Sequence, residues 1–172
     1  MKYSYYDKYI NKKTRIRNDI TPIFHNPKVF SSLISDMIKP FKKTDFNKVA
    51  ALDSLGFILG GAIAHKLKVG LVPVRKGGKL PGISGTLIKT AFIDYTGKKK
   101  IFEINKNAIE KGDRMLIVDD WIETGSQIKA AIRLIEKQGG KVVGISAIYA
   151  EKNSNTNLLF KRYNCIALNL EN

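Results

Sequence analysis

The segment Arg114-Met115-Leu116-Ile117-Val118-Asp119-Asp120 constrains this chain more than any other. An almost continuous apolar run of this length is what a strand buried on both faces looks like, and such strands belong to parallel sheets covered by helices. The run ends abruptly in two carboxylates. It then passes through Trp121-Ile122-Glu123-Thr124-Gly125-Ser126-Gln127 into a helix expected over Gly125 to Gln138, where Ile128, Ala131, Ile132 and Ile135 share one face. Adjacent carboxylates at a buried strand end are costly without partners. Gly125 lets the backbone approach a bound anion. The amides and positive dipole end of the following helix favour a phosphate, and Thr124 and Ser126 add hydroxyl donors. Asp119 and Asp120 can accept from neighbouring hydroxyls of a ligand, directly or through a metal-bound water. The plainer alternative is a βα loop whose polar residues only cap the helix.

The rest of the chain supports the same architecture. Asn26-Pro27 opens a helix that ends at Pro40, with Val29, Phe30, Leu33, Ile34, Met37 and Ile38 at helical spacing. Lys48 to Leu52 is a strand, Asp53 to Gly56 a turn, and Phe57 to Leu67 a helix whose small residues suit close packing on a sheet. Gly70 to Val74 is a strand that Pro73 assigns to an edge or a strand end. Residues 75–86 are rich in Gly and Pro and read as a loop. A hairpin turns around Thr96-Gly97, and a short helix or turn follows it. Further strands fall at Val142 to Ala150 and Cys165 to Leu168, with a helix at Asn157 to Tyr163 between them. Residues 1–25 read as polar and irregular. The expected fold is α/β, one domain over residues 1–172, with a central, mainly parallel sheet flanked by helices. Ligands of such sheets bind beyond the carboxyl ends of the strands, which directs attention to the turns after residues 52, 74 and 118.

Charge matters more here than the rest of the composition. Thirty Lys and Arg against fifteen Asp and Glu give a net +15, a field that attracts polyanions. The basic residues are scattered, with clusters only at Lys12-Lys13, Lys42-Lys43 and Lys98-Lys99-Lys100, and no zinc-finger or aromatic RNA-binding motif accompanies them. Nucleic acid is therefore open as a partner but not favoured. A small polyphosphate held by several cations fits equally, and much of the charge is ordinary solvated lysine. No apolar run reaches the ~20 residues that span a bilayer, and the first residues lack the apolar core of a signal peptide. The single Cys165 sits in an apolar run and reads as a buried, inert thiol. A cytoplasmic location is the default expectation.

The segment Met115 to Gln127 resembles the phosphoribosyl pyrophosphate (PRPP) loop of type I phosphoribosyltransferases. Asp19-Ile20-Thr21-Pro22, Asp53-Ser54-Leu55-Gly56-Phe57, Pro73-Val74-Arg75-Lys76-Gly77-Gly78-Lys79-Leu80-Pro81-Gly82 and Gly112-Asp113-Arg114, in that order, resemble the adenine-type branch. The resemblance implies transfer of a phosphoribosyl group from PRPP to a purine base, adenine being the best single guess, with Mg²⁺ and in a homodimer. Carried onto this chain, Glu123, Thr124, Gly125, Ser126 and Gln127 would cradle the 5′-phosphate. Asp119 and Asp120 would hold the ribose hydroxyls and, indirectly, the metal. Asp53, Ser54 and Leu55 would meet pyrophosphate through backbone amides, with Arg75, Lys76 and Lys79 neutralising it. Residues 1–25 would form a hood over the base, with Ile16, Asn18 and Trp121 beside it. The hairpin 84–100 would be a lid, bringing Asp94-Tyr95 to the base, Asp94 acting on the nitrogen opposite the attacking one.

The chain departs from the family pattern at substrate-contacting positions. Leu55 stands where Arg is usual, Glu123 replaces a small residue, Gln127 replaces a hydroxyl residue, and Asn18 replaces Arg. The usual Asp-Phe-Pro stretch of the hood is absent, and the lid is slightly longer. Glu123 brings negative charge to a phosphate loop, so its side chain should point away or meet a cation such as Lys129. Trp121 should pack beside the ribose site or plug a core edge. These departures leave open a different acceptor, or a PRPP- or nucleotide-binding regulator with little turnover.

Overall fold

A computed structural model describes residues 1–14, 18–82, 85–94 and 96–170. In chain order it contains α1 (Tyr3–Asp7), α2 (Thr21–His25), α3 (Pro27–Ile38), β1 (Lys48–Leu52), α4 (Leu55–Leu67), β2 (Gly70–Lys76) and β3 (Leu87–Ile93). These are followed by β4 (Lys99–Asn105), β5 (Arg114–Ile122), α5 (Ser126–Lys137), β6 (Lys141–Ala150), α6 (Asn157–Arg162) and β7 (Cys165–Ala167). The described strands form one seven-stranded sheet in the order β3-β4-β2-β1-β5-β6-β7. Pairing is parallel from β2 through β1, β5 and β6 to β7, and antiparallel where β4 meets β2 and β3. This is the expected mainly parallel α/β sheet.

Alternation along the central strands sorts the core into two layers. Ala50, Leu52, Val72, Val74, Met115 and Ile117 face the layer that α5 covers, packed with Ile128, Ala131, Ile132 and Ile135. Val49, Leu116, Val118 and Ile148 face the other layer, with Val29, Leu33, Ile34 and Met37 of α3 and Leu59 and Ile63 of α4. Asn26 starts α3 by accepting from the amides of Lys28 and Val29 at 3.0 and 3.2 Å, with Pro27 in the first turn. The small residues of α4 let it sit close on the sheet: a Cβ at Gly60 would fall 2.5 Å from that of Ala51.

Three expectations require correction. Residues 1–25 are not irregular: α1 and α2 lie within them, and Tyr6, Ile10, Ile20 and Ile23 are buried against the α3 layer. The Tyr6 hydroxyl donates to Asp36 at 2.5 Å. Here tertiary burial overrides a weakly periodic sequence. Second, β2 is an interior strand. The Val74 carbonyl bonds toward β1, accepting from the amide of Asp53 at 3.0 Å, so Pro73 faces the other way. On that side β4 pairs only with Arg75 and Lys76, so the amide proton that proline lacks breaks no ladder bond. Third, β5 continues through Asp119, Asp120 and Trp121 to Ile122, leaving a loop of only Glu123 to Gly125 before α5 begins at Ser126.

Opposite the carboxyl ends, Asp113 ties the sheet together. Its carboxylate accepts from the side chains of Asn47 and Lys48, both at 2.7 Å, and from the amide of Glu110. Burial opposes its charge, but these donors hold it below the usual carboxylate range. The Gly112-Asp113-Arg114 motif is thus a clamp at the far edge of the sheet from the strand ends where ligands bind.

Candidate active site

A cleft of about 500 Å³ opens at the carboxyl ends of β1, β2, β5 and β6. It draws on all three turns singled out by the strand-end rule: Asp53 and Ser54 after β1, Lys76 at the end of β2, and the segment from Asp119 onward. Asn18, Asp94, Asp120, Trp121, Glu123, Thr124, Gly125, Ser126 and Gln127 also line it. Leu55, Arg75 and Lys79 do not. Leu55 packs against the α3–α4 core layer. Ile16 and Tyr95 lie outside the described residues.

At the heart of the cleft, Asp119 is 5 % exposed while Asp120 is half-buried. Burial, and then the charge of Asp120, push the Asp119 carboxyl well above the usual range. The amide of Asp120 donates to Asp119 Oδ1 at 2.9 Å, and the positive charge of Lys76 works in the same favourable direction. The loop beyond is shaped by Gly125, whose φ of 70° is left-handed. A Cβ there would lie 2.9 Å from Leu159 Cδ1. The Thr124 and Ser126 hydroxyls sit 3.1 Å apart at the start of α5. The Glu123 carbonyl accepts from Asn153 Nδ2 at 3.1 Å. Of the two alternatives for Glu123, pointing away or meeting a cation such as Lys129, no ion pair joins it to Lys129 among the described residues. The Glu123 side chain is exposed, so water solvates its charge.

Cations enter from the β2 side. Arg75 Nε lies 3.4 Å from Asp53 Oδ2, and Lys76 Nζ lies 3.8 Å from Asp53 Oδ1. Asp94 closes the hairpin turn as well as lining the cleft. Its Oδ1 accepts from the Thr96 hydroxyl at 2.6 Å and from the amides of Thr96 and Lys98. The Thr96 hydroxyl bond, with the two amide bonds and Lys100, holds Asp94 below the usual carboxylate range. The stem of that hairpin is core, with Phe92, Phe102 and Ile104 buried.

Trp121 lines the cleft and is stacked on Tyr149. Sequence reasoning missed Phe92, Lys100 and Glu151, which also line the cleft. Glu151 follows the last residue of β6, so the strand-end rule extended by one strand would have found it. Six carboxylates (Asp53, Asp94, Asp119, Asp120, Glu123, Glu151) and two lysines (Lys76, Lys100) line the cleft. In a chain of net +15, the cleft lining is thus the acidic exception. Among the described residues no three acidic, His or Cys side chains cluster closely enough to hold a metal alone. Asp119 and Asp120 are hard oxygen donors, the ligand type that Mg²⁺ prefers.

Residues 23–171 match the family model described as the phosphoribosyl transferase domain. This strand-end carboxylate pair and phosphate-type loop therefore define a class: the chain belongs to the type I phosphoribosyltransferase family of enzymes. Its relatives point to one branch. It is 42% identical over 132 residues to adenine phosphoribosyltransferase of Cereibacter sphaeroides, covering 76% of this chain and 71% of the relative. It is 44% identical over 126 residues to that of Dinoroseobacter shibae, covering 73% and 68%. Among solved structures, adenine phosphoribosyltransferase of Thermoanaerobacter pseudethanolicus superposes with a TM-score of 0.85 at 30% identity, covering 96% of this chain and 98% of that one. The Saccharomyces cerevisiae enzyme, complexed with an imino-altritol bisphosphate and adenine, gives 0.80 at 30%, covering 96% and 97%.

Proposed function

We propose that this enzyme transfers the phosphoribosyl group of PRPP to adenine, giving AMP and pyrophosphate. One observation carries the reading. Asp119 and Asp120 lie in the last residues of β5, Asp120 two residues short of its end, in the same cleft as the Thr124–Gln127 helix start and a stacked indole, in a chain whose relatives are named for this activity. The 5′-phosphate sits on Thr124, Gly125, Ser126 and Gln127, where the α5 amides and dipole favour it. Asp119 and Asp120 accept from the ribose hydroxyls. Asp53 and Ser54 face the pyrophosphate, and Lys76 neutralises it with Arg75 and Lys79 alongside. The base lies against Trp121 under the N-terminal hood, near Asn18.

In the reaction the anomeric C–O bond breaks, its electron pair leaving with pyrophosphate, and a base nitrogen forms the new bond to that carbon. Positive charge develops on the ribose ring and negative charge on the leaving oxygen. Preorganised cations stabilise the second, and the Asp119 and Asp120 carboxylates stabilise the first. Asp94 stays ionised because Thr96 bonds it, so it accepts a hydrogen bond from the base N–H opposite the attacking nitrogen and takes up that proton as the new bond forms. Asp119 and Asp120 would help to hold Mg²⁺ with the substrate, and the ion would supply charge stabilisation of the leaving group. The hairpin tip excludes water. On this reading the enzyme works in the cytoplasm as a homodimer.

The test is pyrophosphate release from PRPP and Mg²⁺ with a panel of bases, beside calorimetric titration with PRPP and with AMP. Adenine-dependent release, lost in Asp120→Asn, is expected. Release with another base alone would change the acceptor. Binding of AMP without PRPP would replace turnover with nucleotide sensing.

A further inference from the structure

Glu103 lies in β4, outside the cleft lining, and its side chain is wholly buried. A buried carboxylate persists only where donors compensate it. Its donors come from the loop after β2. Oε1 accepts from the amide of Lys79 at 3.0 Å and of Leu80 at 2.8 Å. Lys89 Nζ of β3 stands 3.4 Å from Oε2, an ion-pair distance, although Oε2 makes no hydrogen bond among the described residues. The same loop is held at its start by the amide of Gly77, which donates to the Ile101 carbonyl at 2.8 Å. The Lys79 amide is shared with the Lys76 carbonyl at 3.2 Å. Glu103 therefore grips one side of a turn whose other side carries Lys76 into the cleft.

We infer that Glu103 is a positioning residue that sets the pyrophosphate end of the cleft by fastening the Lys76–Leu80 turn to β4. Burial opposes the charge, but the amides of Leu80, Gly78 and Lys79 together with Lys89 win and keep the carboxyl below its usual range. Glu103 thus remains the ionised acceptor for the turn. The inference rests on the phosphoribosyltransferase reading, because it assigns Lys76 and its neighbours to pyrophosphate.

Charge and position make opposite demands. If Glu103 acted only by its charge, its removal would raise the positive potential around Lys76 and tighten anion binding. If it acts by position, removal loosens the turn and weakens binding of the pyrophosphate moiety alone. The experiment measures Kd for PRPP and for AMP, which lacks that moiety, in wild type and Glu103→Gln. Exchanging charge-assisted for neutral hydrogen bonds to two amides is expected to raise Kd for PRPP about tenfold, with AMP affinity unchanged. Equal losses for both ligands, or unchanged or tighter PRPP binding, overturn the assignment. If the wild type fails to bind PRPP, the proposed function falls and takes this inference with it. Should Glu103→Gln not fold, amide exchange in the wild type decides. Slow exchange at Lys79 and Leu80, on an otherwise exposed loop, supports the grip, and exchange at the open-loop rate removes it.

Discussion

Trp121 stacks on Tyr149, with ring centroids 3.9 Å apart and planes 14° from parallel. The two residues are direct partners across the β5–β6 ladder, so the indole is braced from behind while it lines the cleft. A braced aromatic face beside the proposed ribose site suits a flat base. Trp121→Ala is expected to weaken AMP binding by about 1–3 kcal/mol, the worth of a base–aromatic stack, and to leave ribose 5-phosphate binding unchanged. The chain has a single tryptophan, so AMP should also change the intrinsic fluorescence of the wild type. Titrating both ligands against both proteins checks this.

Gly125→Ala tests the phosphate loop. The left-handed φ of 70° disfavours any side chain, and the new methyl would meet Leu159 Cδ1 at 2.9 Å and Thr156 Cγ2 at 3.4 Å. The backbone strain alone is about 1–2 kcal/mol. Unfolding in urea should report a stability loss of at least that size. Because the strain is relieved by moving the first turn of α5, affinity for ribose 5-phosphate should fall further than stability does.

Much of this was legible in sequence because the signals are local and periodic. The buried run into Asp119-Asp120, the Asn26-Pro27 helix start and the hairpin each show their structure within a few residues. What was not legible depends on distant contacts. Residues 1–25 gain helix from burial of Tyr6, Ile20 and Ile23 against α3, a surface that no local pattern reveals. β5 extends four residues past Val118 because β6 continues beside it, Trp121 against Tyr149 and Ile122 against Ala150. Pro73 misled because its rule concerns hydrogen bonding on one side of a strand, and that side is unpaired there. Glu103 carried no motif at all. Its importance appears only when the loop amides fold onto it.

The three basic residues assigned to pyrophosphate should not contribute equally. Lys76 lines the cleft, whereas Arg75 and Lys79 stand off it. Lys76→Met is expected to weaken PRPP binding by about 1.5–3 kcal/mol, the range for a hydrogen bond to a charged group. Lys79→Met, acting as an exposed charge, should cost about 0–1 kcal/mol. Raising the ionic strength should shrink the Lys79 effect more than the Lys76 effect. Calorimetric titrations at two salt concentrations separate them.

Asp119 should set function against stability. Its folded-state pKa lies above the unfolded value, through burial first and the Asp120 charge second. For a carboxyl shifted this way, the folded state binds its proton more tightly than the unfolded chain. Its contribution to stability is fully present below the unfolded pKa and is lost as pH rises through the folded one, leaving a cost at neutral pH. Asp119→Asn removes that cost while keeping an oxygen for the Asp120 amide. Its Tm at neutral pH should rise by about 2–4 °C for each kcal/mol relieved, and PRPP binding should be lost. The same shift makes PRPP affinity fall as pH drops through the raised pKa of Asp119. Asp120→Asn removes the second cause and leaves burial in place. Its remaining ligand affinity should therefore keep an acid limb, displaced part of the way toward lower pH. Affinity profiles of wild type and Asp120→Asn from neutral to mildly acidic pH decide the point. A limb that stays in place would mean that Asp119 is not the group being titrated.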